Sequence, residues 1–488
     1  MTSKTTSNEL GYPAAPRQRL SSGPAAPARP GLVLLVMCAG MFLVLLDVTV
    51  VNVAVPAITT GLRTGTAGVQ WVVDGYTVAL ASLLLIGGTL GDRIGHRRAV
   101  LAGLVLFGAA SAGCAVAPAV AALVAARAGQ GVGAALLLPG SMAAIAHAYP
   151  ARADQARAFG VWAGVSALAL PAGPLLGGLL VTTAGWRAVF WINPPVVAAC
   201  LAGVLAWVRA PGGHEARPDR VAEQGATTAP GRRLDVRGLV LVTVALAALV
   251  YAVISAGDGQ APLIVAAAGA LAVLAAAGFV LAERRAPEPL LPLTVLSSPR
   301  FRVANTAALV MNLTSNGLLF VLTRYLQSVR GVSALTAGLM MLPLFVPLAV
   351  LSPLAGRLTA RSGPRPALLA GAVLAAAGQL SMLAVTPASP YLQLLPALLG
   401  VGLGLGLFNA PVVATAIRAV PAGQSGLASG INNTARQAGT ALGVAIFGAV
   451  AGSPAASGHF TAGLHGLGVA AALAWAGVIA LLARRDLA

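Results

Sequence analysis

Gly88-Thr-Leu-Gly-Asp-Arg-Ile-Gly-His-Arg-Arg98 and Gly356-Arg-Leu-Thr-Ala-Arg-Ser-Gly-Pro-Arg365 read as two copies of one polar loop, each set between long apolar runs. Two glycines, the leucine and both arginines recur at an offset of 268 residues. A second match has nearly the same spacing: Gly129, Gly131 and Gly133 return as Gly400, Gly402 and Gly404, 271 residues later. The chain carries an internal repeat, and the flanking sequence says what is repeated.

Outward from these loops the chain divides into runs of at least about 18 apolar residues, the length a bilayer demands. They cover residues 31–56, 70–90, 98–117, 120–147, 158–183, 187–208, 237–256, 261–282, 302–324, 335–355, 366–386, 391–417, 426–452 and 462–483. That predicts an all-α polytopic membrane protein with 14 transmembrane helices. Runs 1–6 resemble runs 9–14, with runs 7 and 8 inserted between them. The expected organisation is a disordered tail over 1–30, a six-helix bundle over 31–208, a linker with helices 7 and 8 over 209–301, and a second six-helix bundle over 302–488. Repeated halves around a central site are a transporter architecture.

Composition agrees. Of 488 residues, 58% are apolar and only 9% charged, where soluble domains carry about 25% charge. Net charge is +18, but the basic residues sit in short loops and form no stripe, so topology and not nucleic acid explains them. With the N-terminus inside, 26 Lys and Arg fall on the cytoplasmic side, and Arg63, Arg187, Arg324 and Arg330 fall outside. Both termini are then cytoplasmic. The single lysine is Lys4 in the tail, so no phosphate-binding P-loop is available and an ATP-driven motor is excluded. Cys38, Cys114 and Cys200 lie inside apolar runs without a CxxC partner, and the five histidines form no pair with ligand spacing. They read as packing and loop residues, with no metal and no cofactor expected.

Charges inside the membrane are costly and mark function. Asp47 lies about 20–25 Å into run 1 at 1.5 Å per residue. A carboxylate there must be paired, hydrated or protonated, and one that takes up a proton can couple transport to it. Arg127, about 12 Å into run 4, needs a carboxylate; Asp47 and Asp74 are the candidates, and Asp74 could instead sit at the headgroup level near water beside Trp71. A fixed Asp–Arg pair that never titrates is the structural alternative. In the repeated loop, Gly88, Gly91 and Gly95 permit a tight turn, and Asp92, Arg93, Arg97 and Arg98 can pair across the inner surface. Run 5 holds Gly160, Gly164, Pro171, Gly173, Pro174, Gly177 and Gly178, a pattern for close helix approach with freed carbonyls. Asn52, Asn312 and Asn316 are candidate substrate-cavity residues. Asn432, Asn433, Arg436 and Gln437 line the start of run 13. Polar groups of this kind also bond neighbouring helices.

These stretches together resemble the major facilitator superfamily, in particular its fourteen-span drug:proton antiporters. Gly88 to Arg98 is similar to the superfamily's signature loop, and Arg127 to Gly133 to its span 4 motif, where the Arg is implicated in proton transfer. Gly164 to Gly178 is similar to the span 5 motif associated with antiport. Leu46 to Pro56 and Trp186 to Pro194 are similar to stretches typical of the fourteen-span group. In the second loop Ala360 replaces the acidic residue, which would leave gating pairs to Asp92. The resemblance implies a major facilitator fold of two six-helix repeats plus two extra central helices. It also implies alternating access, and proton-driven export of a hydrophobic or amphipathic small molecule such as an antibiotic from a plasma-membrane protein acting as a monomer. The same fold serves importers, so fold alone leaves direction open.

Overall fold

In the computed structural model, residues 29–208, 235–286, 289–291, 294–421, 425–453 and 457–484 are described. Within them the chain is helical without strands. The elements are α1 (Pro30–Gly61), α2 (Thr66–Ile94), α3 (His96–Val116), α4 (Val120–Ala148), α5 (Arg152–Ala184) and α6 (Ala188–Trp207). The inserted pair is α7 (Val236–Gly257) and α8 (Pro262–Arg285). The second half holds α9 (Pro299–Arg324), α10a (Ala334–Met340), α10b (Leu342–Ser362), α11 (Arg365–Leu380), α12 (Leu395–Arg418), α13 (Ser425–Ala451) and α14 (Ser457–Ala483). Proline stands in the first turn of several helices, including α1, α8 and α9, where its missing N–H costs nothing.

Among the described residues, thirteen helices are long and apolar enough to cross a membrane. α13 is the expected fourteenth, 27 residues long, but it is not the apolar run the sequence suggested. Asn432, Asn433, Thr434, Arg436 and Gln437 crowd its first half. It is packed against α9, α2 and α7, which shield it. Two further boundaries differ. The helix expected over 335–355 breaks at Met341 into α10a and α10b, just before Pro343. α9 continues through a π-helical turn, Tyr325–Val329, so Arg324 is buried and not an exposed outer residue.

The packing obeys the repeat. α1 packs on α5 as α9 packs on α13; α2 packs on α4 as α10b packs on α12; α3 packs on α4 as α11 packs on α12. The repeated glycines make equivalent close approaches. A Cβ on Gly131 would stand 2.4 Å from the Tyr76 carbonyl oxygen, and one on Gly402 would stand 2.4 Å from that of Leu344. Gly129 faces Ala110 and Gly400 faces Gly378, again 268 residues on. Gly95 and Gly363, in the two polar loops, both take positive φ, 90° and 77°, which side chains resist. That geometry explains why the loop repeats a glycine there.

Successive helices alternate between a face rich in arginine, holding both repeated loops, and a face poor in it. Toward the arginine-poor face one hydrophobic cluster runs through both halves, from Val50 and Ile58 to Leu322 and Leu344. Toward the arginine-rich face the cores part. Leu84, Leu104 and Val204 belong to a first-half cluster, and Phe301, Ala416 and Ile431 to a second-half one. Polar bonds across the halves lie at the closed end. Gln70 donates to the carbonyls of Val444 (3.2 Å) and Ala445 (2.9 Å), Arg324 to Thr66 (2.9 Å), and Gln327 to the Val53 carbonyl (2.9 Å).

Candidate functional site

The deepest polar cluster is built in the first half on α1, α3, α4 and α6. Asp47 is 2% exposed and Arg127 1%, and an Arg127 Nη1–H donates to Asp47 Oδ2 in a buried ion pair. Asp47 Oδ1 accepts from Gln130 Nε2 at 3.1 Å and from Asn193 Nδ2 at 3.0 Å. Ser111 Oγ lies behind both donors, accepting from Asn193 at 2.7 Å and Gln130 at 3.1 Å. Its own O–H donates to the Phe190 carbonyl at 3.0 Å. Cys114 adds a thiol contact to Gln130 Oε1 at 3.3 Å.

Arg127 is held from its other sides. Its Nε donates to the Val72 carbonyl at 3.0 Å, its Nη1 also to Gln130 Oε1 at 2.8 Å, and the Tyr76 ring lies 4.5 Å from its Cζ. An aromatic face stabilises a desolvated guanidinium. The carboxylate therefore has a charge partner and two neutral donors, an arrangement that suits its ionised form. Breaking such a pair by removing one partner typically costs about 3–5 kcal/mol. A proton placed on Asp47 would cancel its charge and weaken the hold on Arg127, coupling protonation to the packing of four helices.

The structure thus answers which acid Arg127 meets. Asp74 is not its partner. Asp74 is fully buried on α2, its Oδ1 touched only by the Thr77 hydroxyl at 3.5 Å and its Oδ2 without a partner. Ser111 and Tyr76 had no place in the sequence reading, and Gln130 stood inside the span 4 stretch without a role of its own. The signal available for Gln130 was its position three residues after Arg127, on the same helical face. Asn193 stood in a noted stretch without a role.

The α5 glycines divide. A Cβ on Gly173 would stand 1.8 Å from Thr49 Oγ1, and one on Gly177 3.2 Å from Val50, so this part of α5 lies directly on α1. Gly178 faces the other half, where a Cβ on it would stand 2.5 Å from the Leu335 Cα, and a Cβ on Gly338 of α10a would stand 2.1 Å from the Pro174 carbonyl oxygen. Among the described residues, a Cβ on Gly160 or Gly164 would meet nothing within 4 Å.

The remaining candidates are scattered. Asn52 is buried and donates to the Val48 carbonyl at 3.0 Å. Asn312 and Asn316 are half-buried and turn onto their own helix, toward Ala308 and Asn312, at 3.1 Å each. Among the described residues, no hydrogen bond joins Asn52 to Asn312 or Asn316. Asn432 donates to Asn305 at 3.3 Å, joining α13 to α9. In the signature loop Gly91 is buried, Arg93 and Arg98 are exposed, and Arg97 donates to the Leu205 carbonyl at 3.3 Å within its own half. The surroundings of Gly88 and the carboxyl of Asp92 lie outside the described residues, as do residues 1–28 and 209–234.

Comparison with known proteins places this geometry. Multidrug resistance protein Stp of Mycobacterium tuberculosis is 36% identical over 415 residues, covering 84% of this chain and 74% of that protein. The tetracenomycin C resistance and export protein of Streptomyces glaucescens is 37% identical over 429 residues (87% and 76%). Puromycin resistance protein pur8 of Streptomyces alboniger is 38% identical over 470 residues (92% and 89%). Among solved structures, a peptide transporter POT mutant with alafosfalin shares the fold at a TM-score of 0.65 and 17% identity, covering 93% of this chain and 94% of that one. A D-xylose–proton symporter does so at 0.62 and 16%, covering 91% and 96%. The family profile of the Major Facilitator Superfamily matches residues 37–444. A twofold-repeated helical bundle, a signature loop in each half and that match lead to one conclusion: this chain is a multi-pass membrane protein of the Major Facilitator Superfamily.

Proposed function

We propose that the protein is a proton-coupled antiporter of the plasma membrane that exports a hydrophobic or amphipathic small molecule such as an antibiotic. The observation that carries the reading is the sealed Asp47–Arg127 cage in a bundle whose hydrophobic core is continuous between the halves toward the arginine-poor face. The three curated relatives are named for drug resistance, and one of them for export. In this reading the arginine-rich face and both termini lie in the cytoplasm, and the state is taken as inward-facing. Cargo then enters between the halves from the cytoplasm or the inner leaflet while Asp47 is ionised and held by Arg127. The halves rock, cargo leaves, Asp47 takes a proton from outside, and the return stroke releases it inward. Each inward proton supplies about 2.3 kcal/mol per 100 mV of membrane potential. No resident cofactor takes part.

The test uses inside-out vesicles holding the purified protein, with puromycin as probe and an imposed gradient acid inside. Uptake into the vesicle lumen that collapses with the gradient supports export by exchange. Uptake driven only by a gradient acid outside would make the protein an importer, and no gradient-dependent flux of any antibiotic tried would leave the reading without support.

A further inference from the structure

Between the inserted hairpin and the seam of the two halves lies a cavity of about 340 Å³. Its walls come from α2 (Ala81, Ser82), α7 (Val242, Leu246), α8 (Ala276) and α13 (Thr434) among others, and they are almost wholly apolar. Small residues on facing helices keep it open. α8 packs chiefly on α7, while α7 alone anchors the hairpin to α2 and α13, so α8 arches over the gap. Ser82 donates its hydroxyl to the Val78 carbonyl at 2.8 Å, and the Thr434 hydroxyl, buried and without a partner among the described residues, is the other polar group of the lining.

Depth decides what fits. Val242 is six residues inside α7, Thr434 nine inside α13, Ala276 nine before the end of α8, and Ser82 twelve before the end of α2. At 1.5 Å per residue these lie about 9–18 Å from the arginine-rich ends of their helices. That is the depth of an acyl chain whose headgroup rests at the arginine-rich surface. Three exposed arginines stand at the same end of the hairpin: Arg237 on α7, and Arg284 and Arg285 on α8. The acids nearby are turned inward. Asp235 accepts from the Gly238 N–H at 2.8 Å, and buried Glu283 accepts from the Leu291 N–H at 2.9 Å.

We infer that this cavity is a binding site for an anionic phospholipid, one acyl chain filling the space under α8 and the phosphate lying against Arg237, Arg284 and Arg285. Apolar cavities of under half this volume stay dry and take up apolar ligands, and clustered basic side chains at a membrane surface select anionic headgroups. The far wall is the α2–α13 seam, so the lipid tail is wedged where the halves must move. The site does not depend on the direction of transport.

The test is native mass spectrometry of the full chain in detergent, titrated with dioleoyl-phosphatidylglycerol or dioleoyl-phosphatidylcholine. One phosphatidylglycerol per chain is expected, held about tenfold more tightly than phosphatidylcholine. The triple variant Arg237→Gln/Arg284→Gln/Arg285→Gln, confined to exposed positions, abolishes that preference. Ala276→Trp fills the cavity and removes the bound lipid. Glycerol phosphate, a headgroup without chains, does not compete. Equal binding of both lipids by the wild type, or a triple variant that keeps its preference, overturns the proposal even if Ala276→Trp fails to fold. A folded Ala276→Trp protein that keeps its lipid but loses puromycin binding assigns the cavity to cargo and overturns it as well.

Discussion

Gly178 on α5 lies against Leu335 on α10a so closely that a Cβ on the glycine would stand 2.5 Å from the Leu335 Cα. The two residues belong to different halves, and their contact helps seal the arginine-poor face. At this seam the span 5 glycines work between halves, whereas Gly173 and Gly177 pack α5 on α1 within one half.

Gly178→Leu is therefore expected to keep the arginine-poor face from closing while leaving each half folded. Backbone atoms cannot yield 1 Å to a new side chain as a flexible tip would. Labelling of Asn52→Cys from the arginine-poor side should rise in the variant, and transport should fall at least about tenfold. Unchanged labelling with unchanged transport would remove the seam from the account.

The repeat makes a paired prediction. Gly131→Val and Gly402→Val each press a side chain into a neighbouring backbone, at Tyr76 and Leu344. Overpacking of this kind costs about 1–3 kcal/mol. Thermal unfolding followed by fluorescence-detected gel filtration should show similar losses for the two, since the sites are equivalent by symmetry. A large loss at one and none at the other would deny the equivalence.

Topology is tested by single cysteines. Six arginines fall between Arg209 and Arg237, and none between α7 and α8. A tag at Ala222, which lies outside the described residues, should react only from the cytoplasm. A tag at Asp258 should react only from outside. Labelling of both from one side would break the span count.

Much of this was legible in the sequence for physical reasons. A bilayer forces long apolar runs, so all helices but one announced themselves by composition. The loop glycines recur because a positive φ is needed at 95 and 363. α13 forms over Ser425–Ala451 as the run over 426–452 predicted, though its polar first half leaves it outside the helices apolar enough to cross a membrane by composition alone. Arg127 signalled that it needed an acid, yet the choice of Asp47 over Asp74 depends on how α1, α2 and α4 face one another. The same applies to Gln130, Ser111 and Asn193, ordinary polar residues until three helices bring them to one carboxylate. Gly164 carried a close-packing signal but faces open space.

The central claim is that Asp47 carries the coupling proton. The decisive measurement is gradient-driven puromycin flux in vesicles of controlled internal and external pH, comparing Asp47→Asn, Arg127→Ala and the charge-neutral double variant Asp47→Asn/Arg127→Gln. The double variant guards against a misfolded protein, since Asp47→Asn alone leaves Arg127 buried without its anion. Asp47→Asn and the double variant should bind cargo but show no gradient-driven flux at any pH, because an amide exchanges no proton. Arg127→Ala leaves the buried carboxylate without its cation, and gradient-driven flux should fall in this variant as well. Full gradient-driven flux by the double variant would contradict the account and move the coupling proton to Asp74.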